Sequence, residues 1–389
     1  LTDTHDYRNL LQELPFPPAI ESTFIAIQGC GYLMEKLTPA TITAGVNGRR
    51  VAYAPEIQDV LTREERVFRV NAAMVGISDF NLISAAVAAR PVLPTERSVF
   101  KPAAGADINH DTATRTIRAL GQDVMAGIQT SPPPAYRLSG AWPYAATSYL
   151  REWLFSSDPI PVSLLAKRRV TRLHTLSQIV DHAVTALPRM NAEGKGSALG
   201  EQIRSASSTQ DRRQAIALFR RASATLADGV AALTANALWL MNSADQQEQT
   251  QAGLAAVLWE TLRLLPPAWL LIRNGGEEYT TLHPSIRPED KIALFPILMH
   301  RDPEYWSAPL EFRPERWAAV ADPENTPAFM PFGFDGARCW AKHLVIPLAE
   351  RLLDIALENR LAIPGTQLET RIPLRPLLSV RFRAELESR

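Results

Sequence analysis

Cys339 closes the run Phe332-Gly333-Phe334-Asp335-Gly336-Ala337-Arg338 and stands directly before a helical pattern. Glycines let a backbone turn tightly and approach a ligand closely. At the first turn of a helix a thiol meets unpaired N–H groups and the positive end of the helix dipole. Both favour the thiolate, the form that ligates metals. Taken alone, the same cysteine also fits a small buried hydrophobe. Cys30 has no such surroundings and reads as packing. Glu260 and Arg263, three apart in a second helical pattern, share a face. Such a pair is usually a solvated surface ion pair of little weight. Arg316, in Phe312-Arg313-Pro314-Glu315-Arg316-Trp317, is a charge that could join them, although spacing does not show it.

The elements that must position these residues are mainly helices. A helix over about 210–243 is suggested by apolar positions at Ile216, Phe219, Leu226, Val230, Leu233, Ala237 and Leu240, with Ser208 and Asp211 as a weak capping box. Its length is roughly 50 Å, and its apolar second half implies burial at the centre of the fold. A second helix, 248–265, stops at Pro266-Pro267, and a last one covers 340–360. Short strands are expected at 269–273 and 291–297, and residues 371–385 alternate like a hairpin. Residues 39–62 read as two strands about the Asn47-Gly48 turn, then a helix opened by Pro55. The stretch 105–245 reads mainly helical, broken by a stiff loop at Ser131-Pro132-Pro133-Pro134. The expected fold is mainly α with small peripheral β-sheets.

Composition narrows the function. The 389 residues carry 41 Lys+Arg and 41 Asp+Glu, and a net charge of zero speaks against a nucleic-acid protein. With 46% apolar residues the chain can bury a sizeable core, and 2 cysteines exclude a disulfide scaffold. Residues 1–18 mix charges with apolar residues and so lack a secretory core. The longest charge-free helical stretch, 229–244, is shorter than the ~20 residues that span a bilayer. The expectation is a soluble, cytoplasmic protein with no membrane anchor.

In this order the segments resemble the cytochrome P-450 family. Glu260-Thr261-Leu262-Arg263 is similar to that family's ExxR signature, and Phe332 to Cys339 to its cysteine loop. His300-Arg301-Asp302-Pro303, Pro309 and Phe312 to Trp317 are similar to its meander. The likeness runs through 251–360, with looser matches at 39–62, near 107–120 and at the terminal hairpin. It implies a single haem-thiolate domain over 1–389 that binds haem b, with Cys339 as proximal thiolate in a loop that includes Phe332 and Arg338. It implies a buried structural triad of Glu260, Arg263 and Arg316. Arg273, ten residues beyond Arg263, lies where the family places a propionate partner. His110, Arg115 and Arg118 lie where a second one is offered, and a solvated helix face is the alternative for each.

The chain also departs from the pattern. The loop has Asp335 where the family has glycine, Ala337 where it has a basic residue, and Ala341 where it has another glycine. On the distal helix no register of Arg221 to Ala237 gives the family's AGxxT with a preceding acid. Thr225, Asp228 and Thr234 are the candidates from different registers, and one of these puts Leu233 in the threonine's place. For each candidate, bonding to its own helix backbone is equally open. The implied activity is that of a monooxygenase or related oxidative tailoring enzyme. Its substrate would be a hydrophobic or amphipathic small molecule of secondary-metabolite biosynthesis. Ferredoxin and ferredoxin reductase would serve as partners, meeting a face with Arg338, Lys342, His343 and Arg351. Alternatives are cyclisation, coupling, desaturation, dehydration or a peroxide-driven step, and a non-catalytic haem sensor. The pocket would draw on 71–100, 222–229, Ala268, Trp269, Leu270, Leu271, Leu377 and Leu378.

Overall fold

Apolar spacing of three to four residues dominates the chain, and the folded protein is accordingly helical with short strands. The computed structural model describes residues 44–46, 49–53, 65–90, 109–155, 197–242, 252–334, 338–363, 371–372 and 377–386. In chain order the elements begin with β1 (Ala44–Val46), β2 (Arg49–Tyr53), β3 (Val67–Asn71), β4 (Met74–Ile77) and α1 (Phe80–Ala89). Next come α2 (His110–Ile128), β5 (Gly140–Trp142), α3 (Tyr144–Phe155), α4 (Ala198–Ser205) and α5 (Thr209–Met241). The last third holds α6 (Leu254–Leu264), β6 (Leu271–Arg273), β7 (Lys291–Leu294), α7 (Lys342–Glu358), β8 (Leu361–Ala362), β9 (Arg371–Ile372) and β10 (Phe382–Leu386).

The chain divides into two compact units. One comprises residues 1–24, 95–132 and 151–225; the other comprises 25–94, 133–150 and 226–389. In the first, capping fixes where helices start. Asn109 accepts from the N–H groups of Asp111 and Thr112 at the head of α2. Asp123 accepts from Ala198 and Leu199 at 2.7 and 3.2 Å, placing a carboxylate at the positive end of α4. Ser208 accepts from Asp211 N at 3.0 Å, as the capping pattern predicts. Gly127, near the end of α2, lets that helix lie directly on the backbone of Leu154. A Cβ there would sit 2.8 Å from both the Leu154 Cα and its carbonyl oxygen.

The second unit holds three small sheets, ordered β1-β2-β9, β5-β10-β8 and β3-β4-β7-β6. The four-stranded sheet packs Val75, Ile77, Ile292 and Leu294 into a core with Ile83, Tyr279 and Met330. The second half of α5 is buried on every side from Val230 to Met241, as a helix apolar all round must be. By length and hydropathy α5 could also cross a membrane, but 78% of its apolar window is buried within the protein itself. α6 enters through Gly253 at φ 86°, a conformation glycine adopts without strain, and ends before Pro266-Pro267.

Three expectations need correction. The strand expected over 291–297 stops at Leu294, because Pro296 opens a helical turn, Pro296–Met299. The segment expected as a hairpin over 371–385 supplies strands to two different sheets. β9 runs parallel to β2, whereas β10 pairs antiparallel with β5 and β8. Alternation marks a strand but does not name its partner. The helix expected from 248 is observed from Leu254, with 243–251 outside the described residues. The helix expected after Pro55 also lies outside them.

Gly127→Val should force α2 away from Leu154 and lower stability by about 1–3 kcal/mol. A urea midpoint equal to the parent's would show that the close approach carries no such constraint.

Candidate functional site

Glu260 and Arg263 occupy one face of α6, and both are 0% exposed, which removes the surface-pair alternative. The Arg263 guanidinium donates Nε and Nη2 to the two Glu260 oxygens at 2.9 and 2.8 Å. Its remaining N–H groups donate to the carbonyls of His300, Pro309 and Glu311 at 2.9, 2.7 and 2.9 Å. All five guanidinium donors are therefore used. Arg316 Nε reaches Glu260 Oε1 at 3.0 Å, so the three charges meet in one cluster. Two further donors were not foreseen from the sequence: the backbone N–H of Arg313 at 3.0 Å and the Trp317 indole at 2.8 Å. Both flank Arg316 in the same run, and a buried indole N–H requires an acceptor. The Arg263 guanidinium also lies 5.2 Å from the Trp306 ring centre.

An aromatic cluster carries this anchor toward Cys339. Trp259, next to Glu260, meets Phe329 and Phe332 at ring-centre distances of 6.2 and 6.0 Å, and Trp317 meets Phe329 at 4.7 Å. The Phe332 carbonyl accepts the Cys339 N–H at 2.8 Å, closing the loop, and the Cys339 carbonyl accepts the Lys342 N–H at 3.3 Å. Cys339 is half-buried. It stands ahead of the α7 N-cap, Ala341, rather than within the first helical turn as expected. Within the loop, Asp335, Gly336 and Ala337 lie outside the described residues.

His300 is a second tie. Its Nε2 accepts the Met330 N–H at 2.8 Å, and its carbonyl receives Arg263, so it joins α6 to the strand of chain leading into Phe332. Burial, with the Arg263 and Arg301 charges beside it, pushes the imidazole down to about 3.

The other expected residues divide. Arg273, on β6, is buried and donates to the Arg90 carbonyl. Its guanidinium lies 5.2 Å from the Phe334 ring centre, against the cysteine loop. Arg338 instead faces Asn325 at 3.4 Å and Glu324 at 3.8 Å, and Lys342 bonds the same Glu324 at 2.5 Å. Arg351 pairs with Asp354 and with Glu358. His110, Arg115 and Arg118 are exposed on α2, in the other unit, where Arg115 donates to Thr112 at 3.4 Å. On α5, exposed Thr225 donates to the Arg221 carbonyl at 2.9 Å and buried Thr234 to the Val230 carbonyl at 3.0 Å. Asp228 is half-buried. Trp269 packs on Phe295 with ring centres 6.2 Å apart, while Ala268, Leu270 and Leu271 are half-buried.

One thiol on a closed loop and one buried guanidinium beside that loop form a donor set that suits a thiolate-ligated haem. The first matches the iron and the second a propionate.

A histidine held neutral to about pH 3 takes up its proton only on unfolding, from its ordinary value of 6.5 downward. Its contribution is complete above pH 6.5 and is lost as the pH falls toward 3. Between pH 6 and 4 the parent should lose about 2 kcal/mol more stability than His300→Gln, which does not titrate. Parallel stability curves would contradict this assignment.

Residues 251–339 match the family model described as Cytochrome P-450. Cyclooctatin synthase of Streptomyces melanosporofaciens is 32% identical over 120 residues, which are 30% of this chain and 26% of that protein. Thromboxane-A synthase of Macaca fascicularis is 33% identical over 87 residues, 22% of this chain and 16% of that one. The matches thus span about a quarter or less of these relatives' length. Solved structures extend the likeness. A zebra fish cytochrome P-450 with progesterone gives a TM-score of 0.55 at 15% identity, covering 86% of this chain and all of that one. A structure described under unusual cytochrome P-450-like monooxygenases involved in microbial secondary metabolism gives 0.56 at 13% identity, over 84% of this chain and 96% of that one. At such identities the likeness is one of fold.

Proposed function

We propose that the chain is a haem-thiolate oxidoreductase of the cytochrome P-450 kind, in which Cys339 ligates haem b, a reading supported by the family-model match over residues 251–339. The observation that carries the reading is the buried meeting of Glu260, Arg263 and Arg316, linked through Trp259 and Phe332 to the loop bearing Cys339. Residues 1–389 are taken as one haem-thiolate domain, a reading supported by structural likeness over 84–86% of the chain. Bound at this thiol, the haem supplies activation of dioxygen, because a thiolate ligand favours O–O cleavage. Arg273 would hold a propionate, and Phe332 fixes the Cys339 backbone by accepting its N–H.

The overall reaction is a monooxygenation. One oxygen atom enters a substrate C–H bond and the other leaves as water, with two electrons and two protons consumed. Ferredoxin and ferredoxin reductase supply the electrons. Glu324, Asp354 and Glu358 already neutralise Arg338, Lys342 and Arg351 in part, so docking through this face requires the partner to compete for them. The substrate is a hydrophobic or amphipathic small molecule meeting Ala268 to Leu271 and Leu377. A role in secondary-metabolite biosynthesis is supported by cyclooctatin synthase among the relatives and by a structural neighbour described in that context. Burial of the apolar stretch of α5 supports a soluble enzyme.

A second reading rests on one specific observation. The hydroxyls of Thr225 and Thr234 both return to their own helix backbone, and no carboxylate precedes either. Proton delivery by the substrate, or a peroxide-driven, cyclising, coupling, desaturating or dehydrating step, suits that helix. The test uses the holoprotein, a panel of terpenoids and fatty acids, and either oxygen-18 gas with NADPH, ferredoxin and its reductase, or labelled hydrogen peroxide. Label in a product from the gas arm supports monooxygenation, and label only from peroxide supports the second reading. Haem-loaded protein that converts nothing in either arm contradicts both and leaves a haem sensor.

A further inference from the structure

Asn236 lies in the wholly buried half of α5, among Leu233, Ala235, Ala237, Leu238 and Trp239, and is itself 0% exposed. A primary amide in such surroundings is costly unless its hydrogen bonds are made. Asn236 makes three. Its Nδ2 donates to the Leu265 carbonyl at 2.9 Å and to the Leu378 carbonyl at 3.2 Å. Its Oδ1 accepts the Val380 N–H at 2.8 Å. The Leu378 carbonyl and the Val380 N–H flank Ser379 and are the pair a neighbouring strand would satisfy in a sheet. Here a side-chain amide on a helix stands in for that strand. Across the same segment the Leu378 N–H donates to the Pro267 carbonyl at 2.9 Å, and Leu265 caps α6 by donating to Thr261 at 2.7 Å.

One side chain therefore ties three pieces together: the central helix, the exit of α6 that runs on into Ala268 to Leu271, and the turn 378–380. At the tie neither of the last two lies inside a regular element, and the Asn236 amide adds to the Leu265–Thr261 cap and the Leu378–Pro267 bond in holding them. We propose that Asn236 is a positioning residue that sets the spacing of two walls of the substrate chamber, and through it which molecules are admitted. This rests on the haem-thiolate reading above, which makes Ala268 to Leu271 and Leu377 pocket walls. The Glu260 cluster and the Phe332–Cys339 bond involve none of these atoms, so the tie is separable from holding the thiolate.

The experiment compares the parent holoprotein with Asn236→Leu, which keeps the branch at Cγ but no amide, and with Asn236→Ala, which leaves room for water if the larger leucine variant does not fold. Amide exchange is read by mass spectrometry on peptides covering 265–271 and 377–380. Dissociation constants for imidazole and for 4-phenylimidazole are read from haem absorption. The expected result is exchange about tenfold faster in both peptides. The ratio of the two constants should shift by about tenfold, with the ferrous–CO spectrum unchanged. Unchanged exchange overturns the tie. Faster exchange with an unchanged ratio overturns the role in admission and leaves a merely structural contact. Loss of fold in both variants makes Asn236 a folding residue and also overturns the proposal. If the parent itself shows no thiolate spectrum, the haem-thiolate reading fails, and the pocket role fails with it. The exchange data then still report whether the tie exists.

Discussion

A carboxylate shut away from water must be surrounded by donors, and Glu260 is surrounded by five. That requirement organises the last third of the chain. The donors come from α6 itself and from Arg313, Arg316 and Trp317, so the irregular segment after His300 cannot drift from the helix without stranding a buried charge. Stranding one is far more costly than the pair is worth when intact, of the order of 3–5 kcal/mol. Arg263 extends the same constraint by holding three carbonyls between His300 and Glu311. Local turns order the segment piecewise, as at Tyr305, Glu311 and Arg316, and the ion cluster ties those turns to α6.

From that anchor the order is passed on by packing. Trp259 and Trp317 present aromatic faces to Phe329 and Phe332, and His300 fixes Met330 between them. The Cys339 loop is thus tied at its base, through the Phe332 carbonyl, to residues held by a buried charge.

Much of this was legible in the sequence. The long helix emerged from periodicity within two residues of its ends, expected over 210–243 and observed over Thr209–Met241. Glu260, Arg263, Arg316 and Cys339 could be picked out because three short motifs occur in order. Burial could not be read, since two residues three apart look alike on a surface and in a core. Trp317 and the Arg313 N–H were missed because an indole and a backbone amide carry no charge signal. The partners of β9 and β10 were missed because alternation reports only which faces are wet. Arg338, expected at the cofactor, lies 3.8 Å from Glu324, a contact 14 residues back that no local pattern reveals.

The distal helix marks the other limit. The hydroxyls of Thr225 and Thr234 bond to their own backbone, and the buried amide of Asn236 bonds to neighbouring chain. The proposed haem-thiolate chemistry rests on one sulfur, that of Cys339. The most direct measurement is the ferrous–CO absorption spectrum of the purified protein beside Cys339→Ala. A red-shifted, thiolate-type Soret band in the parent that is lost in the variant is the result expected. An imidazole-type band in the fresh parent, or a thiolate-type band that survives in the variant, would contradict ligation by Cys339.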